Sequence, residues 1–260
     1  MAPAPPRLIT IPISHFCEKA RWALDRAGIA YREERHIQVI HRVASRRAGG
    51  GGTVPVLVTG EGVFAQSAEI LAYADRRTEP DARLYPEEPA LRGEVVALER
   101  DFDADLGPEA RRWAYVHILP QRDLGRDYNC PGVPAWERRA FPLLLGPMSG
   151  YIRHIFAIGP ETDAEAGAAV RRTFDAVASR LADGRRYLCG DAFTAADLAF
   201  AALAGAALLP PQYGVALPQP DELPPDMATC VRAFRAQPAG AFACRLFREE
   251  RWSSSCLRPP

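Results

Sequence analysis

An α/β domain followed by an all-helical one is the fold class the sequence predicts, and three observations predict it. Short β-branched segments alternate with helical spacing through residue 77. A stretch rich in proline and charge follows at 78–89 and reads as a linker. Beyond it no convincing strand appears. The expected organisation is a β-α-β-α-β-β-α domain over 1–77, the linker over 78–89, and a helical bundle over 90–260. At roughly 100–200 residues per domain, a chain of 260 residues accommodates both.

Each element has a local reason. Leu8-Ile9-Thr10-Ile11 is β-branched and short, hence the first strand. Phe16, Ala20, Ala23, Leu24 and Ala27 then recur at helical spacing, and Gly28 supplies the stop. Ala30 to His36 alternates apolar and charged residues as a second strand. Gln38 to Arg47 reads as a short helix ended by Gly49-Gly50-Gly51-Gly52. Val54-Pro55-Val56-Leu57-Val58 is a third strand with proline near its start, where a missing N–H is tolerated. Val63 to Ala65 is the fourth strand, and Ser67 to Arg76 the closing helix, with Ser67 as its expected N-cap.

In the second part, Leu91 to Leu106, Ala164 to Ala182, Thr194 to Leu209 and Met227 to Gln237 carry helical patterns. The last of these is the last clear helix. Trp113 to Gly150 reads as irregular, because Pro120, Pro131, Pro134, Pro142 and Pro147 interrupt it. Leu208 to Pro225 reads as a proline-rich loop. Two insertions are thus expected, at about 113–150 and 208–226.

Composition narrows the function classes. Hydrophobic residues are 48% and charged residues 25%, which excludes a fully disordered chain. Thirty-two basic residues balance 32 acidic ones, so no broad field draws nucleic acid or anionic membrane. Lys19 is the only lysine. The most apolar stretch, Leu198 to Leu209, is far short of the about 20 residues of a membrane span. The opening Met-Ala-Pro-Ala-Pro-Pro-Arg has neither a basic nor an apolar leader region, so a cytoplasmic location is expected. The six cysteines form no C-x-x-C pair and are expected as free thiols. His36 and His41 lie off one helix face with no cysteine beside them, so no metal site is expected.

Three motifs carry chemistry. Ser14, in Ser14-His15-Phe16-Cys17, stands where a strand turns into a helix N-terminus, a place that stabilises an anion such as a thiolate. Taken alone it reads first as an N-cap. Thr53-Val54-Pro55 heads a strand, and Gln66-Ser67 opens a helix whose start suits a carboxylate.

Together, the element order and these residues resemble the thioredoxin-like glutathione-binding domain of cytosolic glutathione S-transferases. Farther on, Gly190-Asp191-Ala192-Phe193-Thr194-Ala195-Ala196-Asp197 is similar to the family's folding motif, with Thr194 and Asp197 as a capping box. The resemblance implies a serine-type site in which Ser14 donates a hydrogen bond to the glutathione sulfur. It implies that the backbone of Val54 pairs with the cysteinyl part, that Pro55 is cis, and that Gln66 and Ser67 hold the γ-glutamyl end. Residues between Gln38 and Arg42 fall near the glycine end. The implied reaction is conjugation of the thiolate to a small hydrophobic electrophile, with glutathione as co-substrate, no metal, and a homodimer as the assembly. The acceptor pocket would lie between the domains, near the aromatics from Trp113 to Phe141. His117 and His154 are candidate acid–base groups there, although a lone histidine is more often a hydrogen-bonded structural residue. Two other readings stay open: an oxidoreductase or lyase using Cys17, and a non-catalytic glutathione-binding module. Burial of Cys17 one turn into its helix would leave it inert.

Overall fold

The protein is described by a computed structural model covering residues 4–252. Cys256 lies outside the described residues. The first part is a four-stranded sheet of order β2-β1-β3-β4. Its strands are β1 (Arg7–Thr10), β2 (Arg32–Arg35), β3 (Val56–Thr59) and β4 (Gly62–Phe64). β1 pairs β2 in parallel, whereas β1–β3 and β3–β4 are antiparallel. A parallel pair needs a crossover, and α1 (His15–Arg26) supplies it. Gly28, at φ +64°, ends α1 in the left-handed conformation that glycine adopts without strain. The short α2 (His41–Arg47) and then α3 (Ser67–Asp75) complete the β-α-β-α-β-β-α order expected.

One expectation at α3 is corrected. Ser67 is the first helical residue, and Gln66 is the N-cap. Glu69 returns to the N–H groups of Ala65 and Gln66 at 2.9 and 3.1 Å. A glutamate three residues past the cap makes this box, and it outweighs serine's own capping preference.

The second part is helical throughout, as expected. It comprises α4 (Pro89–Asp101), α5 (Gly107–Ile118), α6 (Arg122–Asn129), α7 (Ala135–Ile155), α8 (Thr162–Arg180), α9 (Ala195–Leu208), α10 (Pro225–Ala236) and α11 (Pro238–Glu249). A π-turn, Phe102–Leu106, joins α4 to α5. Buried α9 is the pillar of this part. Its alanines favour helix and let α1, α5 and α11 approach closely. Its start is the Thr194–Asp197 capping box, with Thr194 N–H on Asp197 at 2.9 Å. The other oxygen of Asp197 accepts Leu188 N–H at 2.8 Å. Burial raises the Asp197 carboxyl to about 6, against these hydrogen bonds.

Two regions depart from the sequence reading. The region from Trp113 to Gly150 is not irregular: it holds the end of α5, all of α6 and most of α7. Pro142 and Pro147 lie inside α7. Each lacks a donor, yet Phe141, Met148 and Ile152 keep one buried stripe across both prolines. The helix after α10 was also unforeseen. Pro238 occupies its first turn, where proline is favoured. A Cβ on Gly240 would stand 1.9 Å from the Phe234 carbonyl oxygen, so only glycine lets α10 and α11 meet this closely.

Three polar clusters fasten the helical part to the sheet part. Lys19, on α1, is fully buried and pairs with Glu99 at 2.9 Å and Asp103 at 2.7 Å. Arg251, past α11, meets Glu18 at 2.6 Å and Asp25 at 2.8 Å. Beside it, burial opposes ionisation of Glu33, but Arg21 and then Arg35 hold its carboxyl at about 2. The third cluster joins α7 to the segment after β2. Glu137, fully buried, accepts from His36 Nδ1 at 2.6 Å and from Ile37 N–H at 2.9 Å. Glu34 takes the other ring nitrogen of His36 at 3.1 Å.

Candidate functional site

The loop after β1 delivers Ser14 to the N-terminus of α1. Its backbone is extended and its Oγ accepts from Cys17 N–H at 3.4 Å. That bond uses the oxygen, so the hydroxyl hydrogen remains available to a ligand. Ser14 is half-buried and lines a cleft between the sheet part and the helices. The cleft has about 150 Å³ of room, the size that accepts a benzene-like group.

His15 holds this helix start in place. Its Nε2 lies 2.9 Å from the Gly107 carbonyl oxygen, an acceptor, so Nε2 carries the proton. Burial, and then the Arg111 charge, push its pKa down to about 3, so the ring is neutral. A Cβ on Gly107 would stand 2.4 Å from the Phe16 ring. Glycine there lets α5 close onto α1 beside Ser14. Cys17 is fully buried, and burial pushes its thiol up against the opposing effect of Arg21.

The helices supply the rest of the wall. Arg111, Tyr115 and Ile118 repeat at helical spacing on α5 and face the cleft. Tyr128 and Asn129 come from α6, and Tyr151 and Ile155 from α7. Gln38 links the halves by donating to Asn129. Two arginines, Arg42 and Arg111, line the cleft, and no carboxylate does. The His41 imidazole, lowered to about 4 by burial and then Arg42, adds no charge near neutrality.

The residues singled out from the sequence fall in two groups. Ser14 and Val54 line the cleft. Pro55, Gln66 and Ser67 do not: Pro55 and Ser67 are buried, and Gln66 is exposed at the start of α3. The Val54-Pro55 bond is cis. The expected aromatic wall is only partly right. Trp113 and Phe141 are core residues, and Trp136 is 57% exposed. Tyr115 and Tyr128, within that run, do reach the cleft, joined by Tyr151 and Phe156 from beyond it. His117 and His154 are absent from the lining, and His117 is tied to Asp163 at 2.9 Å. The sequence reading passed over Arg111. Its signal was a pattern: Arg111 shares a helix stripe with Tyr115 and Ile118. Among the described residues no group of three or more His, Cys, Asp or Glu could hold a metal. No described helix is long and apolar enough to cross a membrane.

A small mixed sheet with a polar helix start and a cis-proline loop, facing a helical bundle across an apolar cleft, is a two-part thioredoxin-like and helical architecture. The glutathione S-transferase N-terminal domain family matches residues 8–82, and the C-terminal domain family matches residues 160–226. The chain belongs to the glutathione S-transferase superfamily. Among solved structures it is similar to a glutathione S-transferase from Methylobacillus flagellatus with glutathione bound, at TM-score 0.54 and 17% identity, covering 92% of this chain and 98% of that one. A glutathione S-transferase from Rhodospirillum rubrum gives 0.55 and 21%, covering 98% and 96%. A serine-to-cysteine variant of a poplar glutathione transferase gives 0.61 and 13%, covering 96% and 95%. No curated protein matches the chain.

Proposed function

We propose that the protein is a glutathione transferase that conjugates the glutathione thiolate to a hydrophobic electrophile. The observation that carries this reading is Ser14, its Oγ capping the start of α1 with an apolar cleft in front of it. A free thiol near pKa 8.5 is only a few per cent thiolate at about pH 7. A serine donor and the unpaired N–H groups of α1 favour the anion and raise that fraction. In this reading the backbone of Val54, beside Pro55, pairs with the cysteinyl part. Gln66 and Ser67, at the N-terminus of α3, take the γ-glutamyl carboxylate. The sulfur then attacks an acceptor seated among Tyr115, Ile118 and Phe156.

Cys17 is not the nucleophile in this reading, because it is buried and its thiol is pushed up. All five cysteines among the described residues are unpaired, which suits a reducing cytoplasm. A homodimer is part of the proposal: exposed Val63 on β4 and Val96 on α4 are apolar surface that pairing would cover.

The test is the thermal midpoint with and without millimolar glutathione, on wild type and Ser67→Ala. Binding to the native state alone must raise the midpoint, by about 2.7 kcal/mol of stabilisation at 100 times the dissociation constant. The expected result is a rise that Ser67→Ala diminishes, with conjugation of a chloronitrobenzene by wild type. Binding without turnover would leave a glutathione-binding module. No rise at saturating glutathione would overturn the reading.

A further inference from the structure

Arg111 is one of two arginines on this cleft's lining, and it lies beside the helix start that carries Ser14. It is mostly buried, its Nε has no hydrogen-bond partner, and it forms no ion pair among the described residues. Its guanidinium lies 4.4 Å from the Phe156 ring centroid and 5.6 Å from that of Phe16. Two aromatic faces therefore fix the fork without using up its donors. The nearby carboxylates are committed elsewhere. Glu109 binds its other neighbour, Arg112, at 3.0 Å. Glu222 accepts from the cleft residue Tyr128 at 2.6 Å and from Gln219 N–H at 2.8 Å. A desolvated guanidinium with unmet donors is costly unless an anion meets it. Burial accordingly lowers its pKa.

We propose that Arg111 is the anion-recognising group of the acceptor half of the cleft, and that the electrophile is a flat apolar molecule bearing a carboxylate. The proposal rests on the glutathione-transfer reading. A carboxylate is the matched group, because the Arg111 guanidinium, held between the Phe16 and Phe156 rings, meets one carboxylate with two parallel bonds, while Arg42 lies apart against Tyr151. The apolar body has a place to lie: Tyr115, Ile118 and Ile155 line the cleft around it. Arg111 also lies beside the helix start that carries Ser14, since its charge is felt by His15 and its fork overlies Phe16. The bound carboxylate would thus hold the reacting carbon near the sulfur. With para-chloro-meta-nitrobenzoate, the thiolate forms a C–S bond at the carbon bearing chlorine. The C–Cl bond breaks and chloride leaves with its electron pair.

The experiment compares that benzoate with its neutral amide, para-chloro-meta-nitrobenzamide. Dissociation constants are measured calorimetrically with S-methylglutathione present, whose capped sulfur cannot react. Wild type should prefer the carboxylate by about tenfold or more, as a charged hydrogen-bonded contact implies. In Arg111→Leu that ratio should fall to about one, and in Arg111→Lys it should be partly kept, because lysine retains the charge but not the fork. Binding of the amide and of S-methylglutathione reports that each variant is folded. No carboxylate preference in wild type, or a preference that survives Arg111→Leu, would overturn the proposal. So would an Arg111→Leu loss confined to S-methylglutathione, which would assign the arginine to glutathione's own carboxylate. If S-methylglutathione fails to bind while the Arg111-dependent preference stands, the anion site holds and the glutathione reading falls.

Discussion

Replacing Glu137 tests how α7 is held to the sheet part. Its carboxylate is fully buried and accepts two bonds, from His36 Nδ1 at 2.6 Å and Ile37 N–H at 2.9 Å. Glu137→Ala leaves a buried backbone donor and an imidazole without their acceptor, and breaking such a buried pair costs about 3–5 kcal/mol. Glu137→Gln keeps the shape and one acceptor oxygen, and should cost less, about 1–3 kcal/mol. The His36 pKa is raised, first by its hydrogen bond to Glu137, against burial, with Glu34 assisting. A raised folded pKa means the native state holds the proton to higher pH than the unfolded chain. The contribution is therefore full below about pH 6.5 and is lost as pH rises through the raised value. Urea unfolding at about pH 6 and about pH 9 reads both effects. Wild type should lose more stability across that interval than Glu137→Gln does, and the difference between them cancels the cysteine titrations common to both. An alanine variant that costs under about 1 kcal/mol, or equal pH slopes in the two proteins, would refute the reasoning.

Ser14→Ala should lower the turnover of conjugation about 10- to 100-fold while leaving the glutathione dissociation constant nearly unchanged, and it should cost about 1 kcal/mol of stability through the lost cap. Stopped-flow titration of the bound thiol should show its pKa rising in the same variant. Cys17→Ala should keep activity within about threefold, because its thiol is buried and protonated at neutrality. A hundredfold loss in a folded Cys17→Ala would restore the oxidoreductase or lyase reading. Lys19→Met should destabilise by about 3–5 kcal/mol, since it leaves Glu99 and Asp103 facing each other without their cation. Denaturant midpoints with unchanged slope would check it.

The sheet part was legible because its signals are local. Leu8-Ile9 and Val56-Leu57 are short β-branched runs, Gly28 marks a helix end, and their order leaves few topologies. The place of Ser14 at the start of α1 was legible for the same reason: a cap position follows from sequence neighbours alone. What stayed hidden depended on distant partners. Prolines 142 and 147 read as breaks, but the stripe of Phe141, Met148 and Ile152 had a surface to bury against, and tertiary packing overrode the lost donors. The helix from Pro238 to Glu249 was not read from the sequence, although Pro238 in its first turn is a start signal. Arg111 is one cation among many in the sequence, and only folding surrounds it with Phe16 and Phe156 and leaves it without an ion pair among the described residues. Gln66 was misjudged because Ser67 beside it is the stronger capping residue in isolation.

The solitary lysine has a practical corollary. Its amine is the chain's only side-chain amine, and it sits sealed between α1 and the α4 turn with no exposure. An acylating reagent can reach it only when the two parts separate there. The rate of its modification, followed by peptide mass, is therefore a clock for that opening. Ligands that span the cleft should slow the clock, so a change in acylation half-life would report closure of the two parts without any spectroscopic label.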